Sequence, residues 1–246
     1  MKKTLLAVTM LSALSLSGVA NAFTEATDGN FTGKIDFNGT ITDDNPTWSW
    51  EVPAESANLT GWDVLVVNGT VSGDNTSFAF TKPAMTLIHG FMKTPSAIGG
   101  AGITPVIKVG PTASALTLSG DAKQSVTVVA TGKNASSVAV TDGTMQVSAQ
   151  AFLGGVLKSG STVKYFGSTK AQTVLRTNQN NFATLYPNPQ AGTNTFTQTE
   201  ALFTNAAMKD LSGAYTAEIS DYKLTFPSAT LPATWSAIIP VTVTLK

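Results

Sequence analysis

Residues Phe31 to Thr42 read FTGKIDFNGTIT and alternate without a break. Phe31, Gly33, Ile35, Phe37, Gly39 and Ile41 share one face, and Thr32, Lys34, Asp36, Asn38, Thr40 and Thr42 share the other. A period of two is the mark of a half-buried strand and is incompatible with one face of a helix. The closing residues, IPVTVTLK, alternate in the same way, with Ile239, Val241, Val243 and Leu245 on one side. Both ends of the chain are therefore expected to be strands, and terminal strands are where a sheet can be left open and completed by another molecule.

The first residues are read as a leader. Lys2 and Lys3 precede an apolar stretch from Leu5 to about Leu16, and Ala20-Asn21-Ala22 supplies a small-x-small cleavage pattern, so residues 1–22 are expected to be a secretory signal peptide. The stretch falls short of the roughly 20 residues that span a bilayer, and no later segment is long and apolar enough to do so. Removal of Lys2 and Lys3 changes Lys+Arg from 15 to 13 against 15 Asp+Glu, a net charge near −2. With no basic run or basic–aromatic cluster, nucleic acid is not an expected partner. Charged residues make up only 12%, about half the usual share, which leaves a surface of Thr, Ser, Asn and Gly. Cys is absent, so an exported chain of this kind relies on sheet pairing and core burial rather than disulfides.

Strands are expected over Thr47–Val52, Asp63–Val67, Phe78–Phe80, Met85–Ile88, Val106–Val109, Ala115–Leu118, Val126–Ala130, Val138–Val140, Met145–Phe152, Tyr215–Ile219 and Trp235–Leu245. Asn-Gly, Asp-Gly and Pro-containing turns separate them at sandwich spacing. Between about Leu153 and Leu211 the pattern changes: Thr169–Thr177 and Thr199–Leu211 read as short helices, the second with Thr199 as N-cap and Gly213 just past its end. This stretch, about 153–211, is taken as a helical insertion on a single β-sandwich spanning 43–246, preceded by an N-terminal segment, 23–42.

Chemistry has few candidates. His89 is the one histidine, and no spacing supplies it with a nucleophile or carboxylate partner, so a structural role is expected. Asp43-Asp44-Asn45, Gly73-Asp74-Asn75 and Asp142-Gly143 lack the spaced carboxylates of a calcium loop and read as turns. The Asn-x-Thr/Ser triplets at Asn58, Asn68 and Asn134 are what a Thr- and Asn-rich composition produces by chance. No P-loop, metal-ligand cluster or nucleophile elbow is present. Catalytic residues, metal and cofactor are all absent from the expectation.

The N-terminal pattern has a magnitude. Burying Phe31, Ile35, Phe37 and Ile41 at about 1.5–3 kcal/mol each gives roughly 6–12 kcal/mol before ordering costs, comparable with the whole net stability of a domain, about 5–15 kcal/mol. A fold lacking such a strand is deeply destabilised, and one receiving it from a neighbour is locked to that neighbour. Gly33 and Gly39 on the inward face mark close backbone approach.

The run GKIDFNGTITDD, followed by Trp48-x-Trp50 and Glu51-Val52, resembles the start of the kappa-class chaperone-usher fimbrial subunits, the Fae-type family of enterotoxigenic enterobacteria. GAGITPVIKV, the stretch from Gly132 to Phe152 ending in MQVSAQAF, and Trp235-Ser236-Ala237 followed by PVTVT resemble that family in the same order. The resemblance implies an all-β fold, an incomplete immunoglobulin-like sandwich with its last strand missing. It implies a periplasmic chaperone that fills the groove first, an outer-membrane usher, and neighbouring subunits whose N-terminal extensions replace the chaperone by donor-strand exchange. Carried onto this chain, Phe31, Gly33, Ile35, Phe37, Gly39 and Ile41 form the donor strand. Ile239, Val241, Val243 and Leu245 form the groove edge that the chaperone contacts, and the stop at Lys246 is what an open last edge predicts. Relatives often end in an aromatic pair where this chain has Leu245-Lys246, and its insertion is shorter than that of the major adhesive subunits. That shortening is compatible with a minor subunit or a weakly adhesive major one. In relatives the insertion helps to bind host glycans, which makes Tyr165, Phe166, Phe182 and Tyr186 candidate sugar contacts here. The expected role is a structural subunit of a surface fimbria that contributes to adhesion, reached through the periplasm. The alternative is a self-contained exported carbohydrate-binding β-sandwich.

Overall fold

The computed structural model describes residues 24–25, 31–33, 48–57, 59, 61–120 and 122–246. The expected leader, 1–22, and the expected donor positions Ile35, Phe37, Gly39 and Ile41 lie outside the described residues. Among those described, the strands are β1 (Thr24–Glu25), β2 (Phe31–Gly33), β3 (Trp48–Glu51), β4 (Thr70–Ser72), β5 (Asn75–Phe80), β6 (Met85–Met92), β7 (Ser96–Ile98), β8 (Pro105–Val109), β9 (Leu116–Thr117), β10 (Gln124–Lys133), β11 (Gly143–Ser159), β12 (Thr162–Gly167), β13 (Lys209–Pro227), β14 (Thr234–Ala237) and β15 (Val241–Leu245). The α-helices are α1 (Ala54–Ala57), α2 (Thr169–Asn178), α3 (Phe182–Leu185) and α4 (Phe196–Thr204). The fold is all-β and sandwich-like.

Its spine is the antiparallel pairing of β11 with β13, from Thr144↔Thr225 to Val156↔Ser212, with an irregularity between Gln146 and Ser148. The larger sheet runs β1-β3-β6-β13-β11-β10-β14, with β12 added on β11, β5 and β7 on β13, and β4 on β5; the smaller runs β2-β15-β8-β9. β10 shows why these residues form a half-buried sheet: Val126, Val128 and Ala130 point into the core, while Thr127, Val129 and Thr131 face solvent. β11 begins the same way, but Leu153 to Val156 are buried on both faces, as are Leu211 to Ala217 of β13. There α2 covers one face, packing with Val156 and Ala214, and α4 the other, where Phe196 and Phe203 join the main core beside Leu153 and Tyr215, so the apolar pattern becomes continuous, as for any strand covered on both sides. The helix–sheet contact is close: a Cβ on Gly213 would meet the Phe203 ring at 2.1 Å.

Several expected elements differ. Asp63–Val67 is not a strand; it leads into a single 3-10 turn at Val66–Asn68, in which Asn68 N–H donates to Leu65 O (2.9 Å) and Gly69 N–H to Val66 O (3.0 Å). The turn satisfies the Leu65 and Val66 carbonyls and the run is largely exposed to water, so it needs no ladder partner. Val138–Val140 gives only an isolated bridge, Lys133↔Ala139, because the Asn134 side chain accepts from Ser136 and Val138 N–H and folds the segment into a turn. The second helix starts at Phe196 rather than Thr199: Thr195 and Gln198 form a reciprocal capping box. Thr199 instead sits buried within the helix, donating to Thr195 O, and Gly213 belongs to β13. Trp235–Leu245 divides into β14 and β15, the ladder passing from β10 to β8 on either side of Pro240, which has no N–H to donate. Helices α2–α4 fill 169–204, while 153–167 belongs to the sheet.

Trp48 and Trp50, on one face of β3, stack with ring centroids 5.2 Å apart and are almost wholly buried. Trp48 Nε1 donates to Ile103 O at 2.9 Å, so its one polar group is satisfied. Gly90 of β6 lies under Trp50, where a Cβ would come within 2.2 Å of the indole. Gly90→Ala is therefore expected to destabilise the fold by about 1–3 kcal/mol, read as a lower urea midpoint with unchanged slope.

Candidate functional site: the seam between first and last strands

β15 is bound firmly on one side. Its residues pair with β8 from Val241↔Val109 to Leu245↔Pro105, and Lys246 and Thr104 exchange backbone hydrogen bonds in both directions. Lys246 Nζ also reaches Glu200 Oε1 of α4 at 3.0 Å. Ile239, Val241 and Val243 are buried in the core and Leu245 packs against it, so the expected groove-edge residues face inward.

The opposite edge of β15 is met by the N-terminal segment. Gly33 pairs with Val241, Thr32 with Thr242 and Phe31 with Val243, antiparallel. A few residues earlier the same segment touches the other sheet, with Thr24 opposite Trp50 and Glu25 opposite Ser49 of β3. Two short strands of one stretch thus pair with the first strand of the body in one sheet and with the last strand in the other. Without it β15 would present a bare edge of backbone donors and acceptors. The structure brings the expected donor residues Phe31 and Gly33 to the expected edge residues Val241 and Val243.

Beside β14 opens a cleft of about 600 Å³ with Met145, Val147, Ile219 and Ile239 among its lining and Trp62 and Trp235 at its walls. Trp62 packs edge-on against Tyr222 (4.9 Å) and tilts on Phe80 (5.0 Å), which approaches Trp235 at 5.9 Å. Trp62 carried no signal in the sequence reading, because the segment around it reads as an ordinary strand. His89 lies in β6, between β3 and β13. Its Nε2 lies 3.3 Å from Glu51 Oε2, its cross-strand neighbour, and this ties the first strand to the sheet.

The insertion is held by buried polar contacts. Gln172 Nε2 donates to the carbonyls of Phe166, Gly167 and Gly192, each at 3.1 Å; Gln179 Nε2 donates to Met92 O and Ser212 Oγ. Tyr186 OH meets Ser212 Oγ at 2.9 Å and donates to Asp210 O. Phe166, Phe182 and Tyr186 are buried, and Phe182 stacks on Tyr165 at 6.2 Å. These three rings anchor the insertion and have no free face for a sugar; Tyr165 alone is partly exposed.

A family model described as "Fimbrial, major and minor subunit" matches residues 1–152 and 135–246. The chain belongs to this fimbrial subunit family. It is a structural subunit of a cell-surface fimbria, assembling with other subunits. Comparison with the curated proteins finds no match. Among the described residues no helix is long and apolar enough to cross a membrane.

Burial sets an alkaline limit on this subunit. It pushes the Tyr186 and Tyr222 hydroxyls up to about 12 from an ordinary 10.0, and it raises Tyr215 as well. A raised folded-state value means that the stability contributed is complete below pH 10 and is lost as pH rises through about 12. Tyrosinate absorbance and far-ultraviolet circular dichroism are therefore expected to change together above pH 10. Ionisation of all the tyrosines near pH 10 with the strand signal intact would contradict this.

Proposed function

We propose that this subunit polymerises by donor-strand exchange along the chaperone-usher pathway, its residues 23–42 filling the seam of a neighbour and contributing by that means to a fibre that mediates adhesion. The observation that carries the reading is the antiparallel ladder of Phe31–Gly33 on Val241–Val243. Within one chain Phe31–Gly33 pair with their own last strand; supplied by the next subunit, the same backbone hydrogen bonds would join two bodies. Because Phe31, Ile35, Phe37 and Ile41 share one face, the donor offers a continuous apolar row, with Gly33 and Gly39 giving room for the backbone. A periplasmic chaperone would meet the same edge of β15 first, pairing along Ile239, Val241, Val243 and Leu245. The usher would then replace it with the incoming donor at the outer membrane. The route begins with removal of residues 1–22 on export. Contact with host glycans through the insertion would fall to Tyr165, since its three companions are buried.

Deleting residues 23–42 tests this. The truncated subunit should be held by the chaperone yet fail to donate to a neighbour, and no heat-labile, detergent-resistant ladder should form. Polymerisation equal to that of the full chain would refute the reading.

A further inference from the structure

The segment that the sequence marks as a strand and the fold leaves unpaired carries an exposed aliphatic tip. Leu65, Val66 and Val67 are 66%, 65% and 84% exposed, and Val71 on the neighbouring edge strand β4 is 66% exposed. No charged residue occurs between Asp63 and Asp74, so the lysines that usually guard an exposed edge are missing. Isolated surface aliphatics need no explanation, but a contiguous group of this kind marks an interaction surface.

We propose that this tip is a second subunit–subunit contact, packing against the body of the adjacent copy in the fibre. The proposal rests on the donor-strand reading for its geometry and stands on three observations. The tip continues directly from Trp62 and Val64, which line a cleft with β14 and with Ile239, two residues before the position where Val241 pairs with Gly33, so along the chain it adjoins a lip next to where a neighbour's N-terminal segment would dock. The chain belongs to a family of fimbrial subunits, so the partner nearest that lip is another subunit. The patch is chemically suited to protein rather than sugar: it has neither an aromatic face for stacking nor a charged or forked donor for hydroxyls. A stable interface takes roughly 800 Å² from each partner, more than four aliphatic side chains present, so the tip supplements the strand ladder and fixes how successive bodies sit against one another.

The test places a benzophenone side chain at position 67 of the full chain, with position 127, an exposed site on β10, as control, and irradiates the assembled fibres. Covalent subunit–subunit dimers at 67 and none at 127 are the expected result. The heat-labile, detergent-resistant ladder is read on the same samples and reports donor-strand exchange separately. A ladder without cross-links at 67 overturns the tip contact and leaves the exchange reading standing. Cross-links at 67 without a ladder support the contact and refute exchange. Absence of both overturns both.

Discussion

Two sheets that share one core have to be closed where their edges meet, and everything else in this subunit depends on how that seam is filled. The body brings β15 to the seam already secured on its other side by β8 and by the Lys246–Glu200 pair. Its apolar residues point into the core beside Ile107 and Val109. What the body does not supply is the partner for the remaining edge. That partner is the N-terminal segment, which pairs with β15 at one point and with β3 at another. The proposed exchange rests on this: a ladder of backbone hydrogen bonds has the same chemistry whichever copy of the chain supplies the strand.

The rest of the fold stiffens the frame around that opening. Trp48 and Trp50 bury a stacked pair on the first strand, and His89 ties the same strand through Glu51. On the far side, the helical stretch is fixed by Gln172 Nε2, Gln179 Nε2 and Tyr186 OH, directed at backbone carbonyls and Ser212, while Gln179 Oε1 is buried without a partner. Buried donors aimed at fixed carbonyls restrict the geometry that the stretch can take. The helices α2 and α3 are thereby held against the sheet.

How much of this was readable from residues alone follows physical lines. Strands with one wet face were legible, as in Val126–Ala130, because alternation survives wherever one side meets water. The full lengths of β11 and β13 were not, since burial on both faces under α2 and α4 erases the alternation from Leu153 to Val156 and from Leu211 to Ala217. Asp63–Val67 misled because its β-prone residues are held in a turn by local hydrogen bonds, which propensity does not weigh. The Thr195–Gln198 box sets the helix start; Thr199 is equally a cap-type residue, and composition alone does not separate the two. At the seam, alternation marks both ends as strands, while their pairing with each other within one chain is a structural finding. The contact of Thr24 and Glu25 with β3 was not legible, for no periodicity exists in a two-residue strand.

Thr32 and Thr242 stand directly opposite one another in the ladder. Such pairs have Cα atoms about 4.5–5.5 Å apart, inside the roughly 4.4–6.8 Å that a disulfide spans. The chain contains no cysteine, so Thr32→Cys combined with Thr242→Cys gives a clean reporter. Oxidised fibres are predicted to run on a non-reducing gel as a ladder of covalently linked subunits that collapses to monomer on reduction. Fibres in which every such disulfide closes within a single chain, leaving monomers only, would contradict exchange of the strand between subunits.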